Sequence, residues 1–319
     1  MWIRRKGVTT KNYIRIYKMM LFRLHRLLTV AVALLLVSCG TEAQEPQYEG
    51  KEYPDVKSDN TLRILAIGNS FTENMTLHLP RLIADAGADS VVVAYAAFAG
   101  ASLEYQMRHL TSADATHIWA VSTGGRPFVV DSVRRSLPFC VDYADWDIIV
   151  IQQKSTLSGL WNSVAPYLAP TVRLLKTGHP RARIAWQMTW AFASHFDKQK
   201  EFDLYGGSRE LMEQAIEGVV ANVASSGCVD LIIHSGRAVA VARREGVDAS
   251  GFELSRDGRH LDEGAGCYIA ACCAYERLIA PWTNTDVTAL PVDNFSRGDT
   301  PVTTANCQML RQIAAEAER

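Results

Sequence analysis

Ser70, Asp257 and His260 have the types and the chain order of a nucleophile, an orienting acid and a base. A serine hydroxyl is a poor nucleophile at neutral pH. It needs a base within hydrogen-bond reach, and that base needs a carboxylate to fix its tautomer. The block Asp257-Gly258-Arg259-His260 puts acid and base three residues apart. In a turn ahead of a helix, this spacing lets the carboxylate reach Nδ1 while Nε2 faces outward to Ser70. Gly68-Asn69-Ser70-Phe71 follows the apolar run Leu62 to Ile67 directly. An apolar strand ending in a glycine turn carries a serine to the carboxyl edge of a parallel sheet, where α/β proteins bind ligands. Each residue also has a local structural reading: Ser70 as the N-cap of a helix from Thr72, Asp257 as a turn or cap, and His260 as a helix-start histidine.

The elements that must position these groups alternate along the chain. Leu62 to Ile67, Val91 to Phe98, Asp147 to Gln153, Ile184 to Met188 and Asp230 to Ile233 read as buried strands. Helical spacing runs over Thr72 to Ala86, Ala165 to Lys176, Leu211 to Ala224, Arg237 to Arg244 and Leu261 to Leu278, with a further helix capped by Ser102. Strand and helix in alternation imply a parallel sheet covered on both faces, with right-handed crossovers. His117 to Val121 and Phe128 to Val133 flank Thr123-Gly124-Gly125-Arg126 and predict a small β-hairpin insertion outside the main sheet, forming one wall of the site.

The block after the first strand and the Asp257-x-x-His260 block before the last long helix resemble the first and last motifs of the SGNH (GDSL-like) esterase and lipase superfamily. The resemblance covers about Thr61 to Pro281, with Asn69 where the usual motif has Asp. Trp146-Asp147, Gln152-Gln153-Lys154-Ser155 and Arg256 to Leu261 resemble a lipoprotein-borne branch, of the domain-of-unknown-function 4886 type. The resemblance implies an α/β/α sandwich of three layers around a mostly parallel five-stranded sheet, flavodoxin-like, over residues 61–285, with 286–319 as a C-terminal extension. It further implies catalysis by Ser70, Asp257 and His260, with the oxyanion held by the N–H groups of Ser70 and Gly100. The third donor in the family is an asparagine absent here, and Gln153 takes its place. That replacement is the main departure, because losing one such donor lowers the rate by roughly 100- to 1000-fold.

Trp161, Trp186 and Trp190 lie near strand ends, so Trp161 and Trp190 are expected to stack on a substrate sugar, with core packing as the competing role. Arg259 and Asp262, beside the base, are expected to form local ion pairs. The remaining histidines, such as His78, His109, His179, His195 and His234, read as surface or structural.

Composition narrows the function classes. A chain of 319 residues that is 48 % hydrophobic and 21 % charged is long enough for one large α/β domain. A net charge of -1 with mixed signs lacks the basic field that nucleic-acid binding needs. At the amino terminus, Arg23, His25 and Arg26 precede an apolar stretch from Leu27 to Val37, too short to span a bilayer, which stops at Ser38-Cys39. This is a secretory pattern. Leu36-Val37-Ser38-Cys39 resembles a bacterial lipobox, implying lipidation of Cys39 and residues 1–39 as a signal peptide; Met19-Met20 also allows the first eighteen residues to be a mis-called start. Polar residues 40–60 form a tether with an end-to-end distance of roughly 25 Å.

Six cysteines follow Cys39, with no CxxC and His cluster for a structural zinc. Cys267, Cys272 and Cys273 sit in an alanine-rich run and read as small core residues. The expectation is therefore an exported lipoprotein, held at the membrane through Cys39, that removes an acyl group such as acetate from a carbohydrate with no metal or organic cofactor. A lipase or thioesterase of the same fold, or a non-catalytic glycan-binding surface lipoprotein, are the alternatives.

Overall fold

The computed structural model describes residues 60–248 and 251–319. The expected signal peptide, Cys39 and the tether up to residue 59 lie outside them. The first strand, β1 (Leu62–Gly68), shows why the sheet is covered on both sides. Leu62, Ile64 and Ala66 join one apolar cluster while Leu65 and Ile67 join a second on the opposite face. In β2 (Val91–Ala97), Val91, Val93 and Tyr95 alternate in the same way with Ala94 and Ala96. Side chains of a strand point to opposite faces with period two, so a run apolar at every position requires a layer on each side.

Three more parallel strands complete the core: β6 (Ile148–Ile151), β7 (Arg183–Gln187) and β8 (Leu231–Ile233). Their order is β2-β1-β6-β7-β8, with every neighbouring pair parallel. The chain leaves β1 toward β2 and later returns to its other side with β6, so the carboxyl ends of β1 and β6 bound a topological switch point. Open α/β sheets bind ligands there.

One face carries α1 (Ser70–Thr76), α2 (Leu79–Asp85), α8 (Ser235–Arg244) and α9 (Ala265–Leu278). The other carries α3 (Leu103–His109), α4 (Leu137–Asp142), α5 (Trp161–Gly178) and α7 (Arg209–Ser225). The short α6 (Gln199–Phe202) precedes α7, and α10 (Ala280–Thr283) follows α9. Among the described residues no helix is long and apolar enough to cross a membrane.

Four expectations are corrected. The hairpin is not outside the main sheet: β3 (Ala115–Thr123) pairs antiparallel with β2 from Thr123 to Ile118 and widens the sheet, with β4 (Val129–Val130) and β5 (Arg135–Ser136) on β3. Residues 286–319 are not an appendage, because α11 (Thr304–Ala317) packs on α8 and α9 and buries Cys307, Leu310 and Ile313 in the first cluster. The helical run from Thr72 is two helices, broken ahead of Pro80 at the start of α2. The last long helix begins at Ala265 rather than Leu261, after Gly264. Cys267, Cys272 and Cys273 are buried with free thiols, as small core residues of α9.

Candidate active site

The turn after β1 is built by Asn69. It occupies the N-cap of α1, where its Oδ1 accepts the Phe71 N–H at 2.9 Å and the Gln152 amide at 2.7 Å, while its Nδ2 donates to the Ala101 carbonyl at 2.9 Å. One short amide thus ties the turn to the loops after β2 and β6. Because Asn69 is the cap, Ser70 is the first residue of the helix and its hydroxyl is released from capping duty. The turn is gripped from below as well: Gln106 on α3 donates to the Gly68 carbonyl at 2.7 Å and is itself held by the buried His117 at 2.9 Å. Burial pushes His117 down to about 4, which keeps the ring neutral in this bridge. Neither residue was singled out by sequence. The reason is that β2–β3 pairing, not sequence proximity, brings His117 over α3.

His260 reaches Ser70 across 190 positions of chain, with Nε2 and Oγ 2.9 Å apart. On its other side Nδ1 lies 2.7 Å from Asp257 Oδ2. Asp257 Oδ1 also accepts the backbone N–H groups of His260 at 2.7 Å and Arg259 at 3.0 Å. Burial raises the Asp257 carboxyl, but the His260 ring and these two N–H groups more than offset it and leave it below its ordinary value. The loop turns on Gly258, whose φ of +78° suits glycine and whose Cα faces Phe196 so closely that a Cβ would come within 2.8 Å of that backbone. Sequence reasoning brought these three side chains together, and the structure places them in one hydrogen-bonded line.

Gly100 ends the β2 loop at φ +69°, exposed, with open space where a Cβ would stand. No backbone hydrogen bond among the described residues uses the N–H of Gly100 or of Ser70. Beside Ser70 opens a cleft of about 330 Å³ lined by Glu73, Asn74, Tyr95, Phe128 and Arg256. Phe128 and Val130 of the hairpin arm form one wall, as expected of that insertion. Burial raises the Glu73 carboxyl against the pull of Arg134 and Arg256. Among the described residues no group of His, Cys, Asp or Glu side chains could hold a metal ion.

Other expected site residues stand elsewhere. Gln153 is 1 % exposed and fully engaged: Oε1 accepts the N–H groups of Leu103 at 2.9 Å and Lys154 at 2.8 Å, and Nε2 donates to Ser163 at its carbonyl, 2.9 Å, and hydroxyl, 3.1 Å. With both amide hydrogens committed, it ties the loop after β6 to the starts of α3 and α5 and is not free to be an oxyanion donor. Trp190 is fully buried, stacked on Phe71 at 4.1 Å, and its Nε1 donates to the Arg259 carbonyl at 2.9 Å. It cannot offer a face to a sugar; it supports the helix that carries Ser70 and the loop that carries His260 together. Trp161 opens α5, half-buried against the second cluster, and does not line the cleft. Trp186 is buried in that same cluster.

Arg259 does pair, with Glu201, and lies over the rings of Phe192 and Phe196. Among the described residues Asp262 forms no ion pair. It is buried, and its carboxylate accepts the N–H groups of Gly264 at 2.8 Å, Gly266 at 3.0 Å and Thr300 at 3.4 Å. Those bonds, made two residues beyond His260, anchor the start of α9 at Ala265.

Residues 63–315 match the family described as a domain of unknown function (DUF4886). A crystal structure of a DUF4886 family protein from Bacteroides uniformis superposes with a TM-score of 0.70 at 24 % identity, covering 81 % of this chain and 94 % of that one. This likeness shows the fold. More distant is a protein from Slackia heliotrinireducens provisionally described as an SGNH hydrolase, with a TM-score of 0.47 at 24 % identity over 68 % of this chain and 98 % of that one. A Parabacteroides merdae structure provisionally described as a GDSL-like lipase gives 0.44 at 13 % identity, over 70 % and 98 %. Among curated proteins there is no match.

Proposed function

The chain belongs to the DUF4886 family, and on that footing we propose that it is a serine hydrolase of SGNH type that cleaves an ester through an acyl-enzyme, removing a short acyl group such as acetate from a carbohydrate. The observation that carries this reading is the line from Ser70 Oγ through His260 to Asp257, at 2.9 and 2.7 Å. A serine this close to an imidazole whose other nitrogen meets an ionised carboxylate has its proton acceptor in place.

The reaction then runs in two halves. Ser70 Oγ bonds to the ester carbonyl carbon as its proton passes to His260 Nε2. The tetrahedral intermediate collapses, breaking the bond to the alcohol oxygen, which leaves with the proton from His260. Water, deprotonated by His260, attacks the acyl-serine and releases the acid with Ser70 restored. Asp257 holds the ring and stabilises its cationic form. The free N–H groups of Ser70 and Gly100 are the donors we assign to the developing oxyanion.

The shape of the cleft bears on the substrate. A space of about 330 Å³ with Glu73, Asn74 and Arg256 in its walls suits a small acyl group on a polar alcohol. A long fatty chain would desolvate those groups without returning a hydrogen bond. We also propose export and anchoring through Cys39, on the amino-terminal pattern, which metabolic labelling with palmitate tests by comparison with Cys39→Ala.

The deciding experiment treats protein beginning after Cys39 with an aryl acetate and with a fluorophosphonate. Wild type should turn over the ester and gain one phosphonyl adduct on Ser70. Ser70→Ala should lose on the order of 10³-fold or more of the rate and the adduct. Unchanged turnover in that variant would remove Ser70 from the chemistry.

A further inference from the structure

Three polar side chains in the wall of the Ser70 cleft, Glu73, Asn74 and Tyr95, take part in no side-chain hydrogen bond among the described residues. Glu73 and Asn74 stand on α1, three and four positions after Ser70, where side chains lean back toward the start of their helix. Tyr95 faces them from β2. Among the described residues no hydrogen bond reaches the Glu73 carboxylate, the Asn74 amide or the Tyr95 hydroxyl, although Arg134 and Arg256 act on Glu73 through space. Asn74 is only 4 % exposed and its Oδ1 is buried without a partner. Tyr95 is 8 % exposed.

Buried polar groups are normally satisfied, so the orphaned Asn74 Oδ1, in a wall shared with the Glu73 carboxylate and Tyr95, marks a place where something else completes it. Their complement is specific. Glu73 only accepts, the Asn74 amide offers both functions, and the Tyr95 hydroxyl gives or takes. A hydroxyl group both donates and accepts, so adjacent hydroxyls match this set. A carboxylate ligand would meet Glu73 with like charge, and a hydrocarbon would satisfy none of the three. Phe128 packs edge-on against Tyr95 at 5.1 Å and supplies an apolar surface beside them. A sugar ring presents that same combination, hydroxyls at its rim and C–H groups on its face.

We propose that Glu73, Asn74 and Tyr95 form a hydroxyl-reading subsite that binds the alcohol portion of the ester, with Phe128 against the C–H face of its ring. The proposal rests on the serine esterase reading and deepens it: these residues determine specificity, and substrates are esters whose alcohol keeps free hydroxyls beside the acylated oxygen. The aromatic contact expected from tryptophans is supplied instead by the hairpin that widens the sheet.

The test uses Tyr95→Phe, Asn74→Leu and their double variant, each checked for unchanged circular dichroism. The first readout is the ratio of kcat/KM for a monoacetylated methyl xyloside to that for phenyl acetate. Each substitution should lower this ratio on the order of tenfold, the worth of one hydrogen bond to substrate, with the loss carried mainly by KM. The second is saturation-transfer NMR of unacylated methyl xyloside and of cyclohexanol with Ser70→Ala protein. The xyloside signal should be present, cyclohexanol should give none, and Tyr95→Phe in that background should weaken the xyloside signal. A ratio unmoved by both substitutions, or equal signals from the two alcohols, overturns the subsite even if esters are cleaved. Xyloside binding that depends on Tyr95, in a protein that cleaves no ester, would uphold the subsite and overturn the hydrolase reading.

Discussion

Asp257 holds His260 at two points: one carboxylate oxygen lies 2.7 Å from Nδ1 of the ring and the other accepts the backbone N–H of the same residue at 2.7 Å. The acid therefore fixes both the tautomer of the base and the place from which its side chain springs. Asp257→Asn keeps the size but replaces one acceptor with an N–H donor, which Nδ1–H cannot use. The ring then turns or takes the wrong tautomer. The expected outcome is a fall in kcat on the order of 10³- to 10⁴-fold, read with an aryl acetate, with the melting temperature little changed because the carboxylate is half exposed. A loss below tenfold would detach Asp257 from the relay.

Gln153 is expected to act on stability and not on the transition state. Gln153→Ala leaves the N–H groups of Leu103 and Lys154 without their acceptor and the Ser163 carbonyl without its donor. An unsatisfied buried group costs about 1 to 3 kcal/mol, so thermal melting should shift down clearly. The kcat of the folded protein should fall far less than the 100- to 1000-fold that follows loss of an oxyanion donor. Turnover and melting temperature measured on the same preparation separate the two roles.

These two residues show what could be read in the chain and what could not. The hydrogen-bonded line of Ser70, His260 and Asp257 was legible because each member is announced locally: Ser70 by an apolar strand and a glycine turn, Asp257 and His260 by their spacing. The five parallel strands were legible because a strand buried on both faces is apolar at successive positions along most of its length, polar residues such as Arg63 and Arg183 standing near its start. Gln153 was visible as an amide at the end of a strand, but residue type does not tell where an amide points. Its direction is set by Leu103 and Ser163, on two other elements. The place of α11 was hidden for the same reason, since its apolar face meets α8 and α9 far upstream. Trp190 looked available to a ligand because it follows a strand, yet Ala191 and Phe192 beside it are equally buried, and that apolar neighbourhood was the signal of a core position.

Gly258 should tolerate no side chain. Its φ of +78° disfavours other residues, and an added Cβ would press on the Phe196 backbone at 2.8 Å. Its carbonyl accepts the Ala193 N–H at 2.7 Å, so the loop cannot move aside without losing that bond. Gly258→Ala should destabilise by about 1 to 3 kcal/mol, and it should lower aryl acetate turnover, because Asp257 and His260 stand on either side of the displaced residue. Melting temperature and kcat should fall together. A variant with normal stability and normal turnover would show that this turn does not set the geometry of the base.

Asp262 should make the stability of the domain depend on pH in an uncommon direction for a carboxylate. Burial pushes its carboxyl up from 3.8 to about 6, against the opposing pull of the Gly264, Gly266 and Thr300 N–H groups. The folded state thus holds the proton more tightly than the unfolded chain does. Its contribution is full below the unfolded value of 3.8 and is lost as pH rises through about 6. The gap between 3.8 and about 6 corresponds to on the order of 3 kcal/mol. Asp262→Asn cannot titrate, so it serves as the reference. The melting temperature of wild type minus that of Asp262→Asn should shrink steadily from about pH 4 to about pH 7. A constant difference across that range would mean that Asp262 is ionised throughout, with its three N–H partners prevailing over burial.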